Sequence, residues 1–221
     1  WDVGYFSEKL REQRYSISEE EVRQYFPVDR VLNGLFSMVQ RLFAIDISEE
    51  QEFERWHPQV RLFSIRENGQ TIGRFYFDLY ARSNKRGGAW MDGARDQFRN
   101  SKGELVLPVA YLVCNFTPAV GDKPALLTHD EVTTLFHEFG HGLHHMLTRV
   151  EQLGVSGING VAWDAVELPS QFMENWCWEP EGLELIAGHW QTGEALPQEM
   201  LQRMLAARNF QSGMMMVRQL E

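Results

Sequence analysis

A histidine-containing segment near the middle of the chain holds the residues best suited to chemistry. It reads His137-Glu138-Phe139-Gly140-His141, the H-E-x-x-H pattern of zinc hydrolases. On a helix, residues four apart lie one above the other on a single face, so His137 and His141 can offer two imidazole nitrogens to one zinc ion. Glu138 lies beside them, where its carboxylate can take a proton from an attacking water. The pattern therefore predicts a zinc site with an adjacent general base.

The residues around the motif predict the helix that must carry it. Thr128 and Glu131 match a capping box at the start of a helix. Gly140, between the two histidines, lowers helix propensity by about 1 kcal/mol relative to alanine. A glycine there makes sense if another backbone passes close to the metal. We expect a helix of about twenty residues, with apolar positions at helical spacing: Val132, Leu135, Phe136, Phe139, Leu143 and Met146.

The competing interpretation is a buried amphipathic helix whose histidines form internal hydrogen bonds. The spacing and the neighbouring glutamate favour the metal site. Two further histidines follow the motif. His144 shares a face with His137 but lies about 10 Å further along the helix axis, too far to bind the same ion. Packing or substrate contact is the expected role of His144.

A third zinc ligand is expected downstream, because a catalytic zinc keeps three protein ligands. Asp164 and Glu167 resemble a second capping box, and Pro169 would fall in the early turns of that helix. Glu167 and Glu174, seven residues apart, share a face. Glu167 is the preferred ligand and Glu174 the alternate, while Asp164 is a candidate for orienting a ligand histidine. From the residues alone, carboxylates that merely cap and solvate a helix are an equally good interpretation.

Several blocks together resemble the thimet oligopeptidase and neurolysin family of zinc metallopeptidases. They are HEFGHGLHH (137–145), DAVELPSQFMENW (164–176), FYFDLYARSNKRGGAW (75–90) and KPALLTHDE (123–131). The resemblance implies an endopeptidase that cuts short peptides rather than folded proteins. It also implies that His137, His141 and Glu167 bind one zinc ion per chain and that Glu138 is the catalytic base.

The family's proteins are much longer than 221 residues. After the region that resembles Arg218-Gln219-Leu220, they continue into a segment whose histidine and tyrosines help to bind substrate. The resemblance thus implies that residues 1–221 are a single catalytic-region portion of a longer oligopeptidase. Two alternatives remain open. One is an inactive metal- or peptide-binding portion that needs the further segment for catalysis, and the other is a different zinc hydrolase, such as an aminopeptidase.

The expected fold is α+β and predominantly helical, with a zincin-like catalytic region and a small β-sheet beside the metal-bearing helix. Residues 28–45 carry an apolar stripe of helical period. Asn68-Gly69 predicts a hairpin turn between strands at 61–66 and 71–80. Val109–Phe116 is a third predicted strand, and we expect it to be the edge strand that holds a peptide by main-chain hydrogen bonds. Ser18 with Glu21 is a further capping-box candidate.

Composition limits the partners. The net charge of −10 argues against a nucleic-acid-binding surface, and no apolar run approaches the length of a membrane span. Cys114 and Cys177 lie among apolar or aromatic residues, so we expect two buried thiols rather than a disulfide, as in a reducing cytoplasm. Short peptides are the expected partners, and the whole enzyme is expected to be a monomer.

Overall fold

The computed structural model describes residues 2–220, and three helices precede the sheet. They are α1 (Asp2–Tyr15), α2 (Glu19–Val22) and α3 (Val28–Phe43). The predicted apolar stripe of α3 is confirmed, because seven of its residues are buried. Ala44 ends this helix in the left-handed region, with φ of 55°. Ser18 stands at the start of α2, but its side chain makes no capping hydrogen bond, so the capping box predicted there is wrong.

A five-stranded mixed sheet forms the centre of the molecule. Its strands are β1 (Asp46–Glu50), β2 (Arg61–Glu67), β3 (Gln70–Tyr80), β4 (Trp90–Arg95) and β7 (Val109–Phe116), in the order β1-β2-β3-β7-β4. Strands β3 and β7 are parallel, and the other neighbours are antiparallel. The predicted hairpin is confirmed, with φ of 50° at Asn68 and 80° at Gly69. A separate pair, β5 (Phe98–Arg99) and β6 (Leu105–Val106), completes the strands.

The prediction that Val109–Phe116 is an edge strand is wrong. This strand, β7, pairs with β3 on one side and with β4 on the other, so its main-chain groups are already used. The edge on this side of the sheet is β4. The sequence of β4, Trp-Met-Asp-Gly-Ala-Arg, lacks the alternation of apolar and polar residues that identifies a strand. It forms because β7 offers it a partner.

The core lies between the sheet and helices α3 and α4 (His129–Met146). An aromatic cluster joins these layers: the Phe139 ring of α4 lies 5.4 Å from Phe75 and 6.0 Å from Phe77, centroid to centroid. Phe36 of α3 stacks on Phe77 at 6.4 Å. Because Phe136, Phe139 and their neighbours on α4 are turned towards the sheet, the helix is held in a fixed rotation about its axis.

Four helices complete the chain: α5 (Leu168–Glu174), α6 (Pro180–Ile186), α7 (Gln198–Ala207) and α8 (Ser212–Leu220). The architecture is α+β with mostly helical elements around one sheet, as predicted. Cys114 and Cys177 are buried and unbonded, which confirms two separate thiols. Across residues 2–220, no helix combines the length and apolar character needed to cross a bilayer.

Candidate metal centre

Helix α4 carries the H-E-x-x-H motif, and its start is fixed by local hydrogen bonds. The Glu131 amide donates to Thr128 Oγ1 at 3.1 Å, and the Thr128 amide donates to Glu131 Oε2 at 2.8 Å. The predicted capping box is therefore confirmed. The helix runs for 18 residues, close to the expected twenty. With its start and rotation fixed, His137 and His141 lie on one face.

The three predicted ligands converge on one point. Glu167 Oε2 lies 3.3 Å from His137 Nε2 and 3.1 Å from His141 Nε2. All three donor atoms lie within 4.8 Å of one another, and they form the candidate metal cluster found among residues 2–220. Two ligands that each lie about 2.0–2.1 Å from a tetrahedral ion are about 3.3 Å apart. The spacing of the donors thus fits a zinc ion.

A close backbone contact brings Glu167 to the histidines. A Cβ atom at Gly140 would lie 2.6 Å from the carbonyl oxygen of Pro169 and 2.6 Å from Cα of Ser170. Only glycine permits helix α5 to approach α4 this closely. The expectation that another backbone passes Gly140 is confirmed, and this contact places the residue just before α5 over the two imidazoles.

The predicted start of the second helix is wrong. Helix α5 begins at Leu168, with Glu167 as its N-cap residue, and residues 163–167 form turns. Pro169 explains the difference, because proline fits the first turn of a helix, where its missing N–H is not needed. The Glu167 carboxylate does not cap the helix backbone. It accepts a hydrogen bond from Ser170 Oγ at 2.8 Å. Asp164 is exposed and contacts neither ligand histidine within the described chain.

Glu174 has a different role from the alternate ligand that its spacing suggested. Its Oε1 lies 2.6 Å from His137 Nδ1, on the far side of the ring from the metal position. Nδ1–H donates to this carboxylate, which leaves the Nε2 lone pair of His137 facing Glu167 Oε2 and His141 Nε2. Glu174, and not Asp164, is therefore the carboxylate that meets a predicted ligand histidine. The signal in the sequence was the seven-residue spacing from Glu167, but the direction of the His137 ring was not readable.

The charge states of the donors suit a cation. Burial lowers the pKa of His141, which favours its neutral, metal-binding form. The hydrogen bond from Ser170 is the main reason that the pKa of Glu167 is lowered, and the adjacent His141 and His137 add to it. The Nδ1 atom of His141 is buried and has no hydrogen-bond partner in residues 2–220.

Glu138 lies next to His137, but its carboxyl is not among the three converging donors. It is only 8% exposed. Burial raises its pKa, and the charge of Glu167 adds to the effect, whereas His137 and the Met91 backbone oppose it. The Glu138 carboxyl borders a cleft of about 320 Å³ lined by Ala89, Thr133, Thr134, His137 and Glu174. A carboxylate of raised pKa at such a position is suited to accepting a proton.

The two histidines after the motif do not join the ligand set. His144 lines a largely apolar cavity of about 500 Å³ with Leu143, Leu147 and Phe172. Burial lowers the pKa of His144. His145 is fully buried, and its Nε2 lies 3.0 Å from the Arg95 carbonyl oxygen.

Comparisons with known proteins identify the family of the chain. The sequence pattern of Peptidase family M3 matches residues 1–221. The chain is 60% identical to oligopeptidase A of Escherichia coli and 57% identical to that of Haemophilus influenzae, in each case over 100% of this chain and 33% of the relative. It is 51% identical to the organellar oligopeptidase A of Arabidopsis thaliana, over 100% of this chain and 29% of the relative.

The chain therefore spans about a third of the length of these relatives. The match to the family covers every residue, including both segments that meet at the metal centre. The resemblance to oligopeptidases seen in the sequence is confirmed, and the chain belongs to Peptidase family M3.

Proposed function

We propose that this chain carries the catalytic site of a zinc-dependent endopeptidase that hydrolyses peptide bonds in short oligopeptides. The observation that carries the proposal is the convergence of His137 Nε2, His141 Nε2 and Glu167 Oε2. Membership in a peptidase family supports peptide-bond hydrolysis, and relatives named oligopeptidase support short substrates.

Zinc is the metal that best fits the donors. Two imidazole nitrogens and one carboxylate oxygen are a catalytic zinc set, which leaves a fourth position open. Magnesium and calcium prefer oxygen ligands alone. When bound, zinc supplies a Lewis acid that activates water and polarises a carbonyl group. We propose one zinc ion per chain, held by His137, His141 and Glu167.

Other residues of the chain transfer the proton and hold the metal ligands in place. Glu138 accepts the proton of the water that attacks the scissile carbonyl, and then delivers it to the departing amine. The burial that raises its pKa makes it a stronger base than an exposed glutamate. Glu174 holds the His137 ring in place, and Ser170 holds the Glu167 carboxylate.

The peptide main chain binds along strand β4. Its outer edge has no strand partner within residues 2–220, and it lies against α4 beside Glu138. An extended peptide can add to such an edge through main-chain hydrogen bonds. This assigns to β4 the role that the sequence suggested for Val109–Phe116.

Glu138→Gln tests the proposal directly. In zinc-loaded protein, we expect the variant to keep one zinc per chain and to lose cleavage of an internally quenched, N-terminally blocked peptide by about 10²- to 10⁴-fold. Asp130→Asn, an exposed carboxylate change on the same helix, is the matched control and should leave the rate unchanged. Full activity in Glu138→Gln would refute the role of the base.

The unsubstituted protein separates the rival functions. Zinc binding without any cleavage favours a metal- or peptide-binding portion that needs further residues for catalysis. Cleavage restricted to peptides with a free N-terminus favours an aminopeptidase. A cytoplasmic location and a monomeric state are also part of the proposal, and the two unbonded buried thiols support the location.

A further inference from the structure

His145 is a buried polar residue to which the catalytic steps assign no role. Its side chain is 0% exposed, and its Nε2 lies 3.0 Å from the carbonyl oxygen of Arg95, the last residue of β4. Since a backbone carbonyl only accepts, Nε2–H is the donor. His145 thus connects the C-terminal part of the metal-bearing helix to the end of the edge strand.

Two glycines, Gly93 and Gly157, lie against the His145 ring where a side chain would crowd it. A Cβ atom at Gly93, on β4, would lie 3.1 Å from Cε1 of His145. A Cβ atom at Gly157, in the loop before α5, would lie 2.6 Å from Nδ1 of His145, and Gly157 has a φ of 63°. Two glycines on separate segments therefore make room for one imidazole. The carboxylate of Asp96 lies 4.0 Å from Nδ1.

The position of this contact along the helix matters for the metal centre. Glu138, whose carboxyl is next to the Met91 backbone, and His145 are seven residues apart, about 10 Å along the axis. Met91 and Arg95 are four residues apart on β4, about 13 Å. Strand and helix therefore run alongside each other between two points of contact. The pairing of β4 with β7 is irregular between Gly93 and Arg95, so the ladder alone holds this end weakly.

We propose that His145 is a positioning residue that fixes the edge strand β4 against α4, and so sets where the main chain of a bound peptide lies relative to Glu138 and the metal ligands. The inference rests on the proposed function, because it assumes that the peptide binds along β4. His145 acts through the strand and touches neither substrate nor metal.

The test compares His145→Phe with His145→Gln, each in the zinc-loaded, cleavage-deficient Glu138→Gln background. Phenylalanine keeps a ring but removes the donor, whereas the glutamine amide can still donate to the Arg95 carbonyl. We expect His145→Phe to weaken binding of a blocked fluorescent oligopeptide about tenfold, and His145→Gln to recover most of that loss. Zinc affinity, measured by chelator competition, should change by less than about twofold because no ligand is altered.

His129→Phe is the matched control. His129 is also buried on α4, and its Nε2 donates to a backbone carbonyl, that of Cys177, at 2.8 Å, away from β4. Its loss should lower the melting temperature without changing peptide affinity. Hydrogen exchange at residues 90–95 should accelerate in His145→Phe and not in His129→Phe.

The possible results separate the two proposals. Unchanged peptide affinity in a folded His145→Phe variant, or an equal loss in His129→Phe, would overturn the positioning role. If the Glu138→Gln parent binds zinc but no peptide, the proposed function fails, and hydrogen exchange still decides whether His145 fixes β4. Unchanged hydrogen exchange at residues 90–95 in His145→Phe would overturn the proposal that His145 fixes β4.

Discussion

Two clusters of charged and polar side chains in this molecule differ in how fully their hydrogen-bonding groups are paired with one another. The Asp78 cluster consists of Asp78, Arg82, Lys85 and Trp56. Lys85 Nζ donates to the Asp78 carboxylate and to the carbonyl oxygens of Asp78, Tyr80 and Cys114, at 2.5–2.9 Å. Arg82 makes two further hydrogen bonds to Asp78, and Trp56 makes one. Lys85, Arg82 and Trp56 therefore all donate to the Asp78 carboxylate.

In the candidate metal centre, by contrast, the side chains do not satisfy one another. The Nε2 atoms of His137 and His141 and the Oε2 atom of Glu167 face one another, and in the metal-binding protonation state all three are lone-pair donors. No positively charged side chain lies between them in the described chain, which supports the proposal that an external cation completes the site. This contrast supports a structural role for the Asp78 cluster, whose groups bond to one another, and the proposed metal-binding role for the cluster in which lone pairs converge.

Among the changes that test this contrast, removal of Glu167 should have the largest effect, a loss of zinc affinity. Glu167→Ala deletes one of three protein ligands, and we expect zinc affinity to fall by roughly a thousandfold. Asp164→Ala is the control, because Asp164 is exposed and contacts no ligand. Its zinc affinity should stay within about twofold. If a chelator competition assay finds equal losses of zinc affinity in Asp164→Ala and Glu167→Ala, Asp164 also contributes to the metal site.

Lys85→Met should show that the Asp78 cluster is structural. The change removes a buried cation, 6% exposed at its side chain, and leaves several oxygens without a donor. We expect the free energy of unfolding to fall by about 3 kcal/mol or more, with zinc affinity unchanged in the folded protein. Urea unfolding provides the measurement. Lys102→Met, on an exposed turn, should cost less than about 0.5 kcal/mol.

Replacement of Glu174 should have an intermediate effect on the metal. Glu174→Ala removes the partner of His137 Nδ1, and losses of this kind lower metal affinity by about 10- to 100-fold. Glu174→Gln keeps an oxygen that can accept a hydrogen bond from Nδ1–H, so its zinc affinity should fall less than that of Glu174→Ala. A zinc affinity in Glu174→Ala as low as in Glu167→Ala would indicate that Glu174 is itself a ligand.

The smallest effect concerns acid stability. Burial alone would raise the pKa of Asp78, but hydrogen bonds from Arg82, Lys85 and Trp56 outweigh it and lower this pKa to about 2. Because the folded pKa lies below the unfolded one, the contribution of Asp78 is present above about pH 4 and is lost as the pH falls towards 2. About 1 kcal/mol should be lost by pH 3. A carboxyl NMR titration that places this pKa near 4 would contradict the assignment.

The sequence was most informative where structure is local. The capping box at Thr128 and Glu131 and the hairpin turn at Asn68-Gly69 each depend on residues within a few positions, and both were predicted. The residues alone favoured Glu167 over Glu174 as the ligand, but carboxylates that merely cap and solvate a helix were an equally good interpretation, and only the resemblance to a family made Glu167 a strong candidate. The ring direction of His137, which separates the two glutamates, depends on how α4 and α5 pack.

Long-range pairing explains the errors. Strand β4 has no strand pattern of its own, and its partner lies about twenty residues away in the chain, so β7 was mistaken for the edge. The helix predicted from Asp164 begins at Leu168, because Pro169 fits its first turn, and the contact between Gly140 and residues 169–170 sets how closely it packs on α4. The proposed role of His145 also depends on long-range contacts, since its ring meets Arg95 of β4 and Gly157 of the loop before α5.

The most direct test of the metal centre is a zinc titration of three proteins: the unsubstituted chain, His141→Ala and His144→Ala. The two variants each remove one histidine from the same helix, three residues apart. We predict one tightly bound zinc per chain in the unsubstituted protein and in His144→Ala, and a loss of tight binding in His141→Ala. Stoichiometric, undiminished zinc binding by His141→Ala would contradict the account.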